Sequence, residues 1–443
     1  EGISGLPASL IIENNTLKLI VNATRSTGKI TWTGAESTNW NFVSGNFKLN
    51  DQATYFVTGD SVIVDDAATL KTITVGDNFN TANINFRNAT STILLKGTGG
   101  IAGTGNLEKS GRGLLNIETV SNSYTGKTIL DNAVVQIAAL NDAGTPGSLG
   151  MAAVSPANFT MNNSKLIVNA VSTNTNRGLT ITGNDTINVP KSNGVVSITG
   201  VVTGSGKLVK NGVGQLNLSS GTANTYSGGT QISGGTLALG SLVMNNSGLG
   251  SGQITLENGG RLSMFYSTSY GQSPNWSLNI PANTSGTLIT SGRCDINGSI
   301  SGGGTLFYNV PYVRTDLVAG GANFTGTINV TTDADGGDFR LTNNSVGFPN
   351  AQIYLNNMIY MAVYNAIGSS SANSGTTVKL GSLAGVAGSS VGSGTYIIGS
   401  DNRDAVYNGV INSGATITKT GTGNWTLTGA NLTSTQFTVS GGK

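Results

Sequence analysis

The chain has 443 residues, 23 basic and 21 acidic side chains and a formal net charge of +2, with 65 glycines, one cysteine and no histidine. That composition shows no basic stripe for nucleic acid, lacks the commonest general base and transition-metal ligand, and leaves Cys294 unable to form an internal disulfide or a cysteine-rich zinc site. Hydrophobic residues make up 37% of the chain in short alternating runs, which excludes a disordered polypeptide; the glycines lack the collagen period, and no apolar run reaches the length of a membrane span.

Taken in chain order, Glu1-Gly2-Ile3 has no signal-peptide pattern, so the chain reads as mature or trimmed. Residues 1–30 read as N-terminal strands that complete or cap a preceding coil. Residues 31–443 read as a continuous β-solenoid with repeat units near 99–150, 200–252, 298–355 and 409–443. The second unit is the clearest. Gly204-Ser205-Gly206-Lys207-Leu208-Val209-Lys210 leads to Gly212-Val213-Gly214-Gln215-Leu216-Asn217-Leu218, then to Tyr226-Ser227-Gly228-Gly229-Thr230 and Gly234-Gly235-Thr236-Leu237. Leu107, Leu208, Leu306 and Ile417 occupy one position, and Lys109, Lys210 and Lys419 another. Each block is a pair of period-two strands separated by a glycine turn. Strands this short cannot bury a face alone, whereas coils stacked on one another bury a continuous aliphatic column. With coils of about 20–30 residues, the result is an elongated rod of about 15–20 coils. Leu208 and Leu237 should point inward. The recurring lysines should face solvent, so that Lys210→Ala costs less than about 0.5 kcal/mol.

These residues resemble the autotransporter-associated β-strand repeat of bacterial surface and secreted proteins. Residues 204–239 match its pattern almost throughout, the first and fourth units match well, and the third is diverged. Trp32-Thr33-Gly34, Trp40-Asn41-Phe42, Asn46-Phe47 and Gly59-Asp60-Ser61-Val62 look like the opening of such a module. The resemblance implies an all-β, right-handed parallel β-helix, secreted or at the bacterial cell surface. It implies little about activity, because such repeats present many functions.

Site residues are sparse. Asp333, Asp335 and Asp338 form the densest acidic cluster and are a candidate calcium site, since calcium wants six to eight oxygen ligands; a solvated turn is the plainer reading of so short a cluster. No other cofactor is indicated. Arg261, Tyr266, Tyr270 and Trp276 could stack against and hydrogen-bond a glycan, although large aromatics serve packing more often. No catalytic constellation stands out. The expected function is a non-enzymatic structural or adhesive β-solenoid, with a glycan-binding or spacer module of a carbohydrate-active protein as the alternative. Expected partners are surface glycans or neighbouring cell surfaces, with neither nucleic acid binding nor membrane insertion. Ala430-Asn431 falls on Ala223-Asn224 and Ser440-Gly441-Gly442 on Ser233-Gly234-Gly235. Thr16-Leu17-Lys18-Leu19 has the Thr-Leu-x-Leu pattern that would follow, so copies are expected to stack end to end through open strand edges, as separate subunits or as consecutive segments of a longer polypeptide, with a chain trimmed at a convenient boundary as the alternative.

Overall fold

A computed structural model describes residues 8–13, 15–21, 25–118, 121–239, 248–264, 275–290, 294–310, 315–333, 336–342, 346–364, 375–429 and 436–443. Among the described residues the chain is strand and turn throughout, with one short 3-10 turn at Pro156–Asn158. The strands stack in parallel coils as a β-solenoid. Two compact units are present, 1–208 and 209–443.

In the first unit one ladder runs in parallel register through Lys29–Trp32, Ser61–Val64, Asn83–Phe86, Leu107–Ser110, Thr128–Asp131 and Phe159–Asn162. Alternate residues face the interior, so Ile30, Val62, Ile84 and Leu107 form one buried column. Fully burying such a side chain stabilises by about 1.5–3 kcal/mol, and the column repeats that gain coil after coil. Each coil must turn tightly against the one before. Gly204 does so with φ +107°, and a Cβ there would lie 2.0 Å from the carbonyl oxygen of Ile181.

The parallel ladder of this unit ends in antiparallel strands: Phe47–Leu49 pairs with Lys29–Trp32 and with Gln52–Thr54. Beneath it Trp32, Trp40, Phe47, Phe56 and Phe79 pack as a buried aromatic cluster, with Trp32 and Phe47 edge-on at 5.2 Å. Of the opening-module aromatics, Trp32, Trp40 and Phe47 are therefore core, and Phe42 is half-buried. Asp60 is fully buried; it pairs with Arg25 at 2.5 Å and accepts from the Gly28 and Val57 amides. Ala8–Glu13 and Thr16–Val21 form an antiparallel hairpin that pairs with no other described strand, with Leu10, Ile12, Leu17 and Leu19 exposed.

In the second unit the longest ladder passes through Gln215–Leu218, Thr236–Leu239, Gly260–Met264, Ser285–Thr290, Thr305–Asn309, Thr327–Thr331 and Gly347–Leu355. It continues through Thr377–Gly385, Gly394–Ile398 and Ala415–Lys419 to Gln436–Val439. A further ladder joins Cys294–Ile296, Thr315–Leu317, Gly337–Thr342 and Ile359–Tyr364. Leu208 and Leu237, expected inside, are fully buried. Cys294 lies in a strand, and its side chain is outside the described residues.

Candidate functional site

The recurring lysines are not where their charge suggested. Lys109, Lys210 and Lys419 are buried, with relative exposures of 1%, 0% and 3%. This corrects the expectation that they face solvent. Each sits two residues after an inward leucine or isoleucine, so strand periodicity puts its stem on the core face. The amine then extends into the following turn. Lys210 Nζ donates to the carbonyl oxygens of Asn211 at 2.9 Å, Gly212 at 2.8 Å and Gly234 at 3.1 Å. Lys419 Nζ repeats the pattern with Thr420, Gly421 and Gly441. Lys109 Nζ takes Ser110 and Gly111 but finds its third oxygen on Asn88, a residue of the preceding coil. Three donors meet three carbonyl groups, which satisfies the ammonium without a carboxylate. Burial nonetheless pushes the Lys109 and Lys210 ammonium groups down to about 8.

A second device recurs in the next block. Tyr124 and Tyr226, both buried, hydrogen-bond Thr128 and Thr230 at 2.7 Å, and those threonines donate in turn to the Leu149 and Leu249 carbonyl groups. Burial holds both phenols far above their ordinary range. The Tyr-x-x-x-Thr spacing is thus a hydrogen-bonded pair locking a loop to its coil.

The acidic cluster divides. Asp333 is exposed, Asp335 lies outside the described residues, and Asp338 belongs to a different assembly. Strand Gly337–Thr342 places Asp338 and Arg340 on one face. Arg340 Nε pairs with Asp316 Oδ1 at 2.7 Å, its Nη1 lies 3.5 Å from Asp338, and its guanidinium stands over the Tyr364 ring at 3.3 Å. The Tyr364 hydroxyl donates to Asp338 at 3.1 Å. Burial raises the Asp338 carboxyl, with Arg340 opposing, and burial also raises the Tyr364 phenol. Asp316 and Arg340 are buried, and the cluster ties three adjacent strands together through charge. Among the described residues no group of three His, Cys, Asp or Glu side chains could hold a metal ion. The Asp65-Asp66 pair is a turn staple, Asp66 accepting from the Ala89 and Ser91 amides and the Ser91 hydroxyl.

The aromatic and arginine candidates also separate. Arg261 is exposed on strand Gly260–Met264. Trp276 is buried, at 5% relative exposure, just before Leu278–Ile280. Tyr266 and Tyr270 lie outside the described residues. Further along, Tyr308 is fully buried against Phe339.

The passenger-associated-transport-repeat family model matches residues 107–137, 208–239 and 417–443. These are the three segments that carry the buried lysines; the diverged third unit is not among them. Over 163 residues the chain is 32% identical to the adhesin BmaC autotransporter of Brucella suis biovar 1 (strain 1330). That stretch is 36% of this chain and 5% of the relative, so the chain spans a small fraction of the relative's length. No solved structure matches. Among the described residues no helix is long and apolar enough to cross a membrane. Three copies of the passenger-associated-transport repeat on parallel β-coils, with the stretch similar to an autotransporter adhesin, support a repeat protein of the autotransporter-passenger type and a secreted or cell-surface location.

Proposed function

We propose that the chain is a non-enzymatic adhesive segment that holds a binding surface away from the cell. The observation that carries this reading is the 163-residue similarity to a protein named as an adhesin. The buried lysines, tyrosines and Asp316–Arg340 pair are each engaged with backbone or with one another, leaving no nucleophile–base pair among them. Beads coated with the purified chain should be retained on host-cell or bacterial layers, with soluble chain competing. Retention no better than on beads coated with heat-unfolded chain would remove this reading. Turnover of a polysaccharide or peptide by the chain would also count against it.

End-to-end association of copies is the finer reading. Exposed Leu10, Ile12, Leu17 and Leu19 on one hairpin, and the exposed edge strand Gln436–Val439 with Val439 at 65% exposure, support it. Sedimentation should show concentration-dependent growth that deletion of residues 1–22 abolishes. A particle strictly monomeric at high concentration counts against it.

A further inference from the structure

We propose that the outer face of the long ladder in the second unit binds an extended acidic polysaccharide along one row of side chains. The row is fixed by register. Arg261 pairs with Thr287, Thr287 with Phe307, Phe307 with Asn329 and Asn329 with Tyr354. These five side chains all lie on the side of the sheet opposite the buried residues Leu262, Leu288, Leu306, Ile328 and Ile353. Large groups occupy every second strand. At about 4.8 Å per strand, Arg261, Phe307 and Tyr354 succeed one another at intervals of about 10 Å, close to one disaccharide step of an extended β-linked chain.

The chemistry of the row suits sugar. Phe307 is 39% exposed, and Tyr354 stands two strands on, so two aromatic faces are offered to the C–H faces of alternate sugar rings. Hydrogen-bonding groups fill the strands between the large ones: the Thr287 hydroxyl between Arg261 and Phe307, and between the two aromatics Asn329, whose side-chain carbonyl oxygen accepts from Asn356 and whose amide nitrogen remains a donor. Charge selects the class. Gln215, Asn217, Thr236, Ser263, Thr305 and Gln352 share this outer face, and no outward-facing residue on its strands from Gln215 to Tyr354 is a carboxylate. Arg261 is exposed and makes no ion pair among the described residues. An uncompensated guanidinium on a carboxylate-free face favours a uronate-bearing chain over a neutral one. The surface needs no metal and no movement of the coils.

This inference gives a ligand class to the adhesive reading and rests on it. The experiment titrates the full chain with polygalacturonate and with neutral cellohexaose. The acidic polymer should bind, weakening as salt rises, and the neutral oligosaccharide should bind distinctly less. Phe307→Ala combined with Tyr354→Ala should weaken binding about tenfold or more. Arg261→Gln should weaken it several-fold and flatten the salt dependence. Phe307→Tyr should retain binding, and Lys165→Ala, a cation in the other unit, should change nothing. Unfolding midpoints of all variants separate lost contacts from lost fold. Binding that survives the Phe307/Tyr354 double substitution overturns the proposal, as does equal preference for the neutral ligand. Failure to bind any acidic polymer while coated beads still adhere overturns this row and leaves the adhesive reading standing. Failure of the beads alone removes that reading instead.

Discussion

Two buried cations in the second unit are stabilised in opposite ways. Lys210 is surrounded by neutral backbone, its ammonium shared among three carbonyl oxygens of two turns. Arg340 is held by carboxylates, Asp316 at 2.7 Å and Asp338 at 3.5 Å, with Tyr364 beneath it. The lysine arrangement recurs at Lys109 and Lys419, and the arginine cluster has no counterpart in those repeats. Carbonyl groups are supplied by any glycine turn of the right shape, so the lysine site can be copied wherever the turn is copied. The carboxylate site needs particular residues on three successive coils. A repeated buried cation therefore belongs to the coil, whereas a solitary one marks where this coil stack departs from its repeat.

The largest effect should come from breaking the carboxylate site. Asp316→Ala leaves a buried guanidinium short of its closest partner and should cost about 3–5 kcal/mol, read as a lowered urea midpoint. A cost under about 1 kcal/mol would mean that Asp338 and Tyr364 alone hold the charge.

Lys210→Met keeps the apolar stem and removes the head. It strands buried carbonyl groups at the cost of about 1–3 kcal/mol, well above the value for a solvent-facing lysine. A neutral result would show that water replaces the ammonium.

The pH dependence separates the two further. Because the Lys109 and Lys210 amines sit near 8 in the folded chain against 10.5 unfolded, the unfolded state holds more protons between those values. Stability should rise across that window, and Lys210→Met should flatten the rise. Above pH 10 the sign reverses. Tyr124 and Tyr226 stay protonated when folded but ionise when unfolded, so each should lose about 1.4 kcal/mol per pH unit. Midpoints measured from pH 7 to 11.5 should pass through a maximum, and a monotonic curve would contradict the burial of these groups.

The smallest effect belongs to the outward strand position. Lys207→Ala, three residues before Lys210 and on the other face, should move stability by less than about 0.5 kcal/mol. Equal costs at Lys207 and Lys210 would erase the distinction between the faces.

The coils themselves were legible in the chain. Alternation put Leu107, Leu208, Leu306 and Ile417 inside, and all four are buried. The glycine before each strand anticipated turns that a side chain would block, as at Gly421, φ +69°, where a Cβ would lie 1.9 Å from the Gly399 carbonyl oxygen. The lysine placement was also written there, since Lys210 follows Leu208 by two residues and so shares its face. Charge argued for the opposite face, and periodicity prevailed because a four-carbon stem carries the ammonium out of the core to converging carbonyl groups.

Local sequence determined which residues are strands, which face each presents and where the chain turns, because alternation and glycine act over a few residues. It could not determine which strands become neighbours across coils. Asp338 reads locally as the end of an acidic turn with Asp333, yet it is held by Arg340 and Tyr364. Arg340 in turn reaches Asp316, 24 residues earlier in the chain. The row from Arg261 to Tyr354 is likewise invisible along the chain. Only the register of the coils decides these contacts, since coil length varies with the loops between strands, and a shift of one residue would turn every side chain to the other face.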